Sequence, residues 1–238
     1  MTATATSSGR IRIPVAAALR PVLAEFVGSA GLTAVVVGSG IAAQRLSPND
    51  VGLQLLENAL ATALGLTVLI VVFAPISGAH FNPVVTLVDV AIGGRPRRDL
   101  WSYLPAQVLG CLGGAVVANV MFDKAAVSVS SNERATPAHL LAEVVATAGL
   151  IGVIFILARA GRGAIVAPSV GAYIGAAYWF TSSTSFANPA ITIGRTITDT
   201  FAGIAPASAL WYIGAQLLGA AIGLVAVKVF AAQPAVSR

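Results

Sequence analysis

Apolar residues in this chain gather into six long runs rather than alternating with polar ones. The runs are roughly Pro21–Ala43, Leu53–Phe73, Leu100–Val120, Ala138–Ala158, Ala164–Thr181 and Ala207–Phe230. Each is about as long as the ~20 residues an α-helix needs to cross a bilayer core. Two further segments are too short to cross, and an Asn-Pro interrupts each of them. They are Ser77-Gly78-Ala79-His80-Phe81-Asn82-Pro83-Val84-Val85-Thr86 and Thr184-Ser185-Phe186-Ala187-Asn188-Pro189-Ala190-Ile191-Thr192. Asparagine is a preferred N-cap and proline is favoured at the first helical position, so each motif predicts the start of a short helix. Backbone breaks at membrane depth only where it is buried in protein or lines a water-filled cavity.

The chain repeats itself. Ala24-Glu25-Phe26-Val27-Gly28-Ser29-Ala30-Gly31-Leu32 matches Ala142-Glu143-Val144-Val145-Ala146-Thr147-Ala148-Gly149-Leu150. Phe81-Asn82-Pro83-Val84 matches Ala187-Asn188-Pro189-Ala190, and Ala106-Gln107-Val108-Leu109-Gly110 matches Ala215-Gln216-Leu217-Leu218-Gly219. Three matches in one order mark a tandem duplication. Each half holds three spans, an odd number, so the second half must lie upside down relative to the first. The predicted fold is all-α: six transmembrane helices plus two re-entrant half-helices. They form one domain over residues 1–238, with a cytoplasmic tail at 1–20 and repeats at 21–122 and 138–231. The first half-helix should start near mid-membrane, where Asn82 faces its counterpart Asn188, and return from Pro83 to about Ile92 toward the cytoplasmic side.

Composition sharpens this reading. The chain is 57% hydrophobic and 10% charged, and the six spans leave little polypeptide over, so no separate soluble domain is expected. The first 13 residues are polar and read as a cytoplasmic tail rather than a signal peptide. A net charge of +5 could suggest nucleic acid, but the distribution of the charges argues otherwise. With the N-terminus inside, Arg10, Arg12, Arg20, Arg95, Arg97, Arg98, Arg159, Arg162, Lys228 and Arg238 fall on the cytoplasmic side. Only Arg45, Lys124, Arg134 and Arg195 fall outside. That bias predicts a multi-pass protein of the inner (plasma) membrane with both termini cytoplasmic. Gly93-Gly94-Arg95-Pro96-Arg97-Arg98 then becomes a contact for anionic lipid. The single Cys111 lies inside the third span and reads as a small buried residue.

The candidate chemistry sits at the two Asn-Pro motifs. Each half-helix N-terminus carries partial positive charge and free N–H donors, and two of them facing each other oppose cations, hydronium included. The carboxamide oxygens of Asn82 and Asn188 can cap their own helices and leave the NH2 groups as donors toward a pore. Such an arrangement predicts passive permeation of small neutral solutes. Glu25 and Glu143 are intramembrane carboxylates at equivalent positions. They serve either proton coupling or as acceptors for loop N–H groups, with Gln107 and Gln216 in a similar supporting role. His80 is either a vestibule anchor or a pH gate, and His139 sits near the outer surface. Gly28, Gly31, Gly110, Gly113, Gly114, Gly219 and Gly223 suit close helix packing. Trp101, Trp179 and Trp211 lie near span ends. No nucleophile–base pair, metal-ligand cluster, phosphate loop or cofactor motif is present in the sequence, so an enzyme is not expected.

These residues together resemble the aquaporins, or major intrinsic proteins, over nearly the whole chain. The resemblance implies a homotetramer with one pore per protomer and a constriction at Asn82, Pro83, Val84, Asn188, Pro189 and Ala190. Val84 stands where the family usually has alanine. The family's arginine after the second Asn-Pro-Ala is replaced by Ile191, with Arg195 four residues on. By the family's spacing, the other filter positions are Thr62, Ala176 and Ser185. That makes a wide, weakly polar, uncharged filter with weaker ion exclusion at the mouth. The run from Thr184 to Arg195, with Asp199-Thr200-Phe201-Ala202-Gly203-Ile204, is similar to a bacterial subgroup associated with arsenic-resistance genes. The implied solutes are arsenous acid and related metalloids or polyols, with water a further possibility. Three alternatives remain open on the sequence: a water-selective channel, a proton-coupled transporter using Glu25 and Glu143, and a closed membrane scaffold.

Overall fold

The computed structural model describes residues 15–231. They form eight α-helices, and no β-strand occurs among the described residues. Six are long: α1 (Val15–Leu46), α2 (Val51–Ser77), α4 (Arg98–Met121), α5 (Pro137–Arg159), α6 (Val166–Phe180) and α8 (Pro206–Phe230). Two are short: α3 (Pro83–Ala91) and α7 (Pro189–Gly194), the latter continued by a 3-10 turn over Arg195–Ile197. All six long elements are apolar enough to span a bilayer, α6 together with the 3-10 turn before it. Helix α1 begins at Val15, inside the stretch expected as a tail, because Val15-Ala16-Ala17-Ala18-Leu19 is a good helix former that simply extends the first span. The rest of that expected tail, residues 1–14, lies outside the described residues.

Local chemistry places the helix ends. Asp50 accepts from the Leu53 N–H at the start of α2, and Thr136 accepts from the His139 N–H at the start of α5. Proline opens α3, α5, α7 and α8, where its missing N–H costs nothing. Gly78 ends α2 in the left-handed region at φ 89°, its N–H donating to the Ala74 carbonyl.

The two halves are built alike. Helix α1 packs on α4 as α5 packs on α8, and α2 and α6 join the halves. Gly110 lies against the carbonyl of Phe26 and Gly114 against that of Ala30. In the second half, Gly219 meets the Val144 carbonyl and Gly223 the Ala148 carbonyl, the equivalent atoms. A side chain at any of the four would collide with backbone, so small residues set the distance between these helices. Gly113 differs: nothing lies within 4 Å of where its Cβ would be, so it does not serve the packing expected of it. Trp101, Trp179 and Trp211 are all exposed on the outer surface of the bundle.

Candidate functional site

The loops before α3 and α7 are strained in the same way. Ala79 and Phe81 have φ of 51° and 50°, and Ser185 and Ala187 have 50° and 47°. These are equivalent pairs, and none is the glycine that such angles favour, so surrounding contacts must hold them. One carboxylate does so in each half. Glu25 Oε1 accepts from Ser77 Oγ at 2.6 Å and the His80 N–H at 3.0 Å. Its Oε2 accepts from the Phe81 N–H at 2.7 Å and Gln107 Nε2 at 2.8 Å. Glu143 repeats this with Ser183 Oγ at 2.7 Å and the Phe186 N–H at 2.9 Å. The Ala187 N–H at 2.9 Å and Gln216 Nε2 at 2.7 Å complete its set. Gln107 and Gln216 also donate to Thr86 and Thr192, whose hydroxyls bond back to the carbonyls of Asn82 and Asn188. Both carboxylates are fully buried and engaged by four donors each.

The asparagines do two things at once. Asn82 Oδ1 accepts from the Val84 N–H at 3.1 Å, and Asn188 Oδ1 from Ala190 and Ile191 at 3.0 and 3.3 Å. Asn82 Nδ2 donates to the Ala187 carbonyl and Asn188 Nδ2 to the Phe81 carbonyl, each at 2.8 Å. The two loops are thus cross-tied at the centre. One N–H of each carboxamide is taken by that tie, and one remains for the cavity, where the sequence suggested the whole NH2 group.

A cavity of about 710 Å3 passes this point. At one end its wall includes Arg95, Gly94 and Arg159, and at the other Ser185, Ile191 and Arg195. His80, Asn82 and Asn188 line it between, and Val36, Leu66, Leu150 and Val170 supply an apolar side. Polar groups on one side and aliphatic ones on the other orient a solute without binding it strongly. His80 is fixed by both ring nitrogens: Nδ1 is 3.0 Å from Thr86 Oγ1, and Nε2 is 3.2 Å from Asp89 Oδ2. Arg95 binds the same Asp89 at 3.6 Å, donates to Tyr103 Oη at 2.7 Å, and donates to the Ser77 carbonyl. His139 lies away from the cavity, with Nδ1 2.6 Å from the Arg134 carbonyl.

Of the expected filter positions, Thr62, Ser185 and Ile191 line the cavity and Ala176 does not. Ala176 is exposed on the outer face of α6. The inward face of that helix carries Val170, Ile174 and Tyr178, spaced by four, and Ala176 falls between them. Tyr178 Oη sits 3.2 Å from Thr62 Oγ1, so an aromatic stands where a small residue was expected. The apolar i, i+4, i+8 spacing on α6 was the signal that could have found it. Val84 is buried among Val85, Val88, Ile151, Phe155 and Ala220, so its extra methyls pack against α5 and α8. Pro83, Pro189 and Ala190 are buried at the starts of the half-helices.

The major intrinsic protein family model matches residues 13–186. The chain belongs to the major intrinsic protein family. It is 45% identical over 209 residues to aquaglyceroporin AqpS of Rhizobium meliloti (strain 1021), covering 88% of this chain and 89% of that protein. It is 32% identical over 230 residues to aquaporin Z of Brucella melitensis biotype 1, covering 87% and 96%. The X-ray structure of the aquaglyceroporin from Plasmodium falciparum shares the fold at TM-score 0.67 and 20% identity, covering 87% of this chain and 94% of that one. Major intrinsic proteins are membrane channels for small solutes, not enzymes, and this chain is a multi-pass member of that family.

Proposed function

We propose that the protein is a passive channel for small neutral polyhydroxylated solutes, arsenous acid among them. The observation that carries this reading is Ile191, a buried aliphatic on the cavity wall directly after Asn188-Pro189-Ala190. An aliphatic there removes a bulky, hydrated cation from the ring formed with Thr62, Ser185 and Tyr178. Arsenous acid is neutral at physiological pH and similar in size to glycerol, and hydroxyl-bearing solutes can exchange water for the donors of Asn82 and Asn188. The similarity to aquaglyceroporin AqpS supports a solute wider than water. We further propose a homotetramer in the inner membrane with both termini cytoplasmic, embedded through its exposed apolar side chains. The saturated carboxylates support a scaffold role for Glu25 and Glu143 over proton coupling.

A water-selective channel is the second reading, and the Thr62–Tyr178 bridge favours it by narrowing the ring. Stopped-flow light scattering on proteoliposomes separates the two. Under an inward arsenous acid gradient, re-swelling faster than in empty liposomes is expected, and Ile191→Arg should slow it by about tenfold. Fast shrinkage with no accelerated re-swelling would leave only the water channel.

A further inference from the structure

The sequence leaves the mouth beyond Asn188 uncharged, and the fold puts a guanidinium back. Arg195 follows Ile191 by four residues, about one helical turn, so both stand on one face of α7 and its 3-10 extension. Arg195 is only 3% exposed, yet it lines the cavity beside Ile191, Ser185 and Phe186. Two contacts fix it. Its Nε donates to the Ala202 carbonyl, and the guanidinium carbon lies 3.4 Å from the centroid of the Phe186 ring. That Nε bond is the one side-chain hydrogen bond from Arg195 to protein found among the described residues. An arginine does not give up its charge, and burying it without a partner is costly unless water or a solute meets it. Arg195 stands on the cavity wall, so the cavity is where water or a solute can meet it.

Its surroundings do not neutralise it. Arg134 lies over the same Phe186 ring at 5.6 Å, and donates to the Gly203 and Phe201 carbonyls, each at 2.8 Å. Three successive carbonyls of one loop, Phe201, Ala202 and Gly203, thus hold two arginines. The carboxylates at this end are engaged elsewhere. Glu143 holds the loop before α7, Glu133 accepts from Ser208 Oγ at 2.8 Å, and Asp199 accepts from the Ser131 N–H at 3.0 Å. No ion pair involves Arg134 or Arg195 among the described residues.

We infer that Arg195 is the charged, solute-facing donor at this mouth, repelling cations and offering its Nη hydrogens to solute oxygens. Ile191, one turn deeper, keeps the ring it shares with Thr62, Ser185 and Tyr178 uncharged. Charge selection and size selection are thereby separated along the pore. This inference rests on the channel reading, and it takes the place of the weaker ion exclusion expected at an uncharged mouth. The favoured solutes carry several oxygen acceptors and no positive charge.

The test uses proteoliposomes of the full chain, wild type, Arg195→Gln and Arg195→Lys. It reads arsenous acid re-swelling and, under a K+ diffusion potential, K+ and proton leak. Wild type and Arg195→Lys should be as ion-tight as empty vesicles. In Arg195→Gln, the ratio of ion leak to solute flux should rise about tenfold or more. An Arg195→Gln protein that passes solute and stays ion-tight would overturn the inference, leaving Arg195 as a strut. Should that variant fail to fold, an ion-leaky wild type or Arg195→Lys protein would overturn it instead, because charge at this position would not be the barrier. A wild type passing neither solute nor water would sink the channel reading itself, and the inference with it.

Discussion

The strained loops depend on single carboxylates, and this dictates what their loss should do. Glu143 accepts four hydrogen bonds, two of them from the backbone N–H groups of Phe186 and Ala187 in the strained loop. A glutamine in its place would turn a donor toward one of those donors. Glu143→Gln and Glu25→Gln should each destabilise the protein by about 2 kcal/mol or more, read as a lower Tm in detergent. Flux through any folded fraction should be indifferent to a proton gradient. A fully stable variant with altered proton dependence would instead restore the transporter reading. The equivalence of Glu25 and Glu143 was legible in the repeat, but their partners were not. Ser77, Ser183, Gln107 and Gln216 come from different elements, and nothing in the local sequence says which hydroxyl or amide will arrive.

At the scale of elements, the helices were legible because their signals are local. Run length gave the spans, and Asn-Pro gave the starts of α3 and α7. Their contacts were legible only in part. Four of the glycines expected at helix contacts lie against backbone, and Gly113 faces open space. The two cases should behave oppositely. Gly114→Val or Gly223→Val would drive a side chain into the Ala30 or Ala148 carbonyl and should cost about 3 kcal/mol or more, seen as loss of monodisperse protein. Gly113→Ala should be neutral or stabilise by up to about 1 kcal/mol, because only helix propensity changes. Equal damage from both would mean that the glycines serve lipid or subunit contacts rather than the α1–α4 and α5–α8 seams.

For the whole molecule, the inverted repeat brings the two short helices nose to nose, and the cross-tie between Asn82 and Asn188 joins the halves at the centre of the cavity. The proposed orientation follows from the distribution of arginine and lysine, and it is open to a direct check. Single cysteines placed in the 93–98 loop and in the 123–135 loop, in a Cys111→Ser background, should differ in labelling by an impermeant thiol reagent applied to intact cells. The 123–135 position should label and the 93–98 position should not. The reverse pattern would invert the molecule, placing Arg195 at the cytoplasmic mouth without altering its chemistry. Native mass spectrometry should find four copies per particle.

The sequence by itself determined the six spans, the two half-helices, the duplication and the pairing of Asn82 with Asn188. All of these follow from run length, end caps and internal matches, which are properties of neighbouring residues. Tertiary structure decided which side of each helix faces the cavity. Ala176 and Tyr178 differ by two residues, about 200° around the axis, and only packing of α6 against α2 fixes that phase. It also decided that Arg195 stands on the cavity wall, because its hold comes from Phe186 and Ala202, which lie on separate loops before and after it. How the two flanking loops fold back onto Arg195, not the residues beside it in the helix, settles where its charge sits.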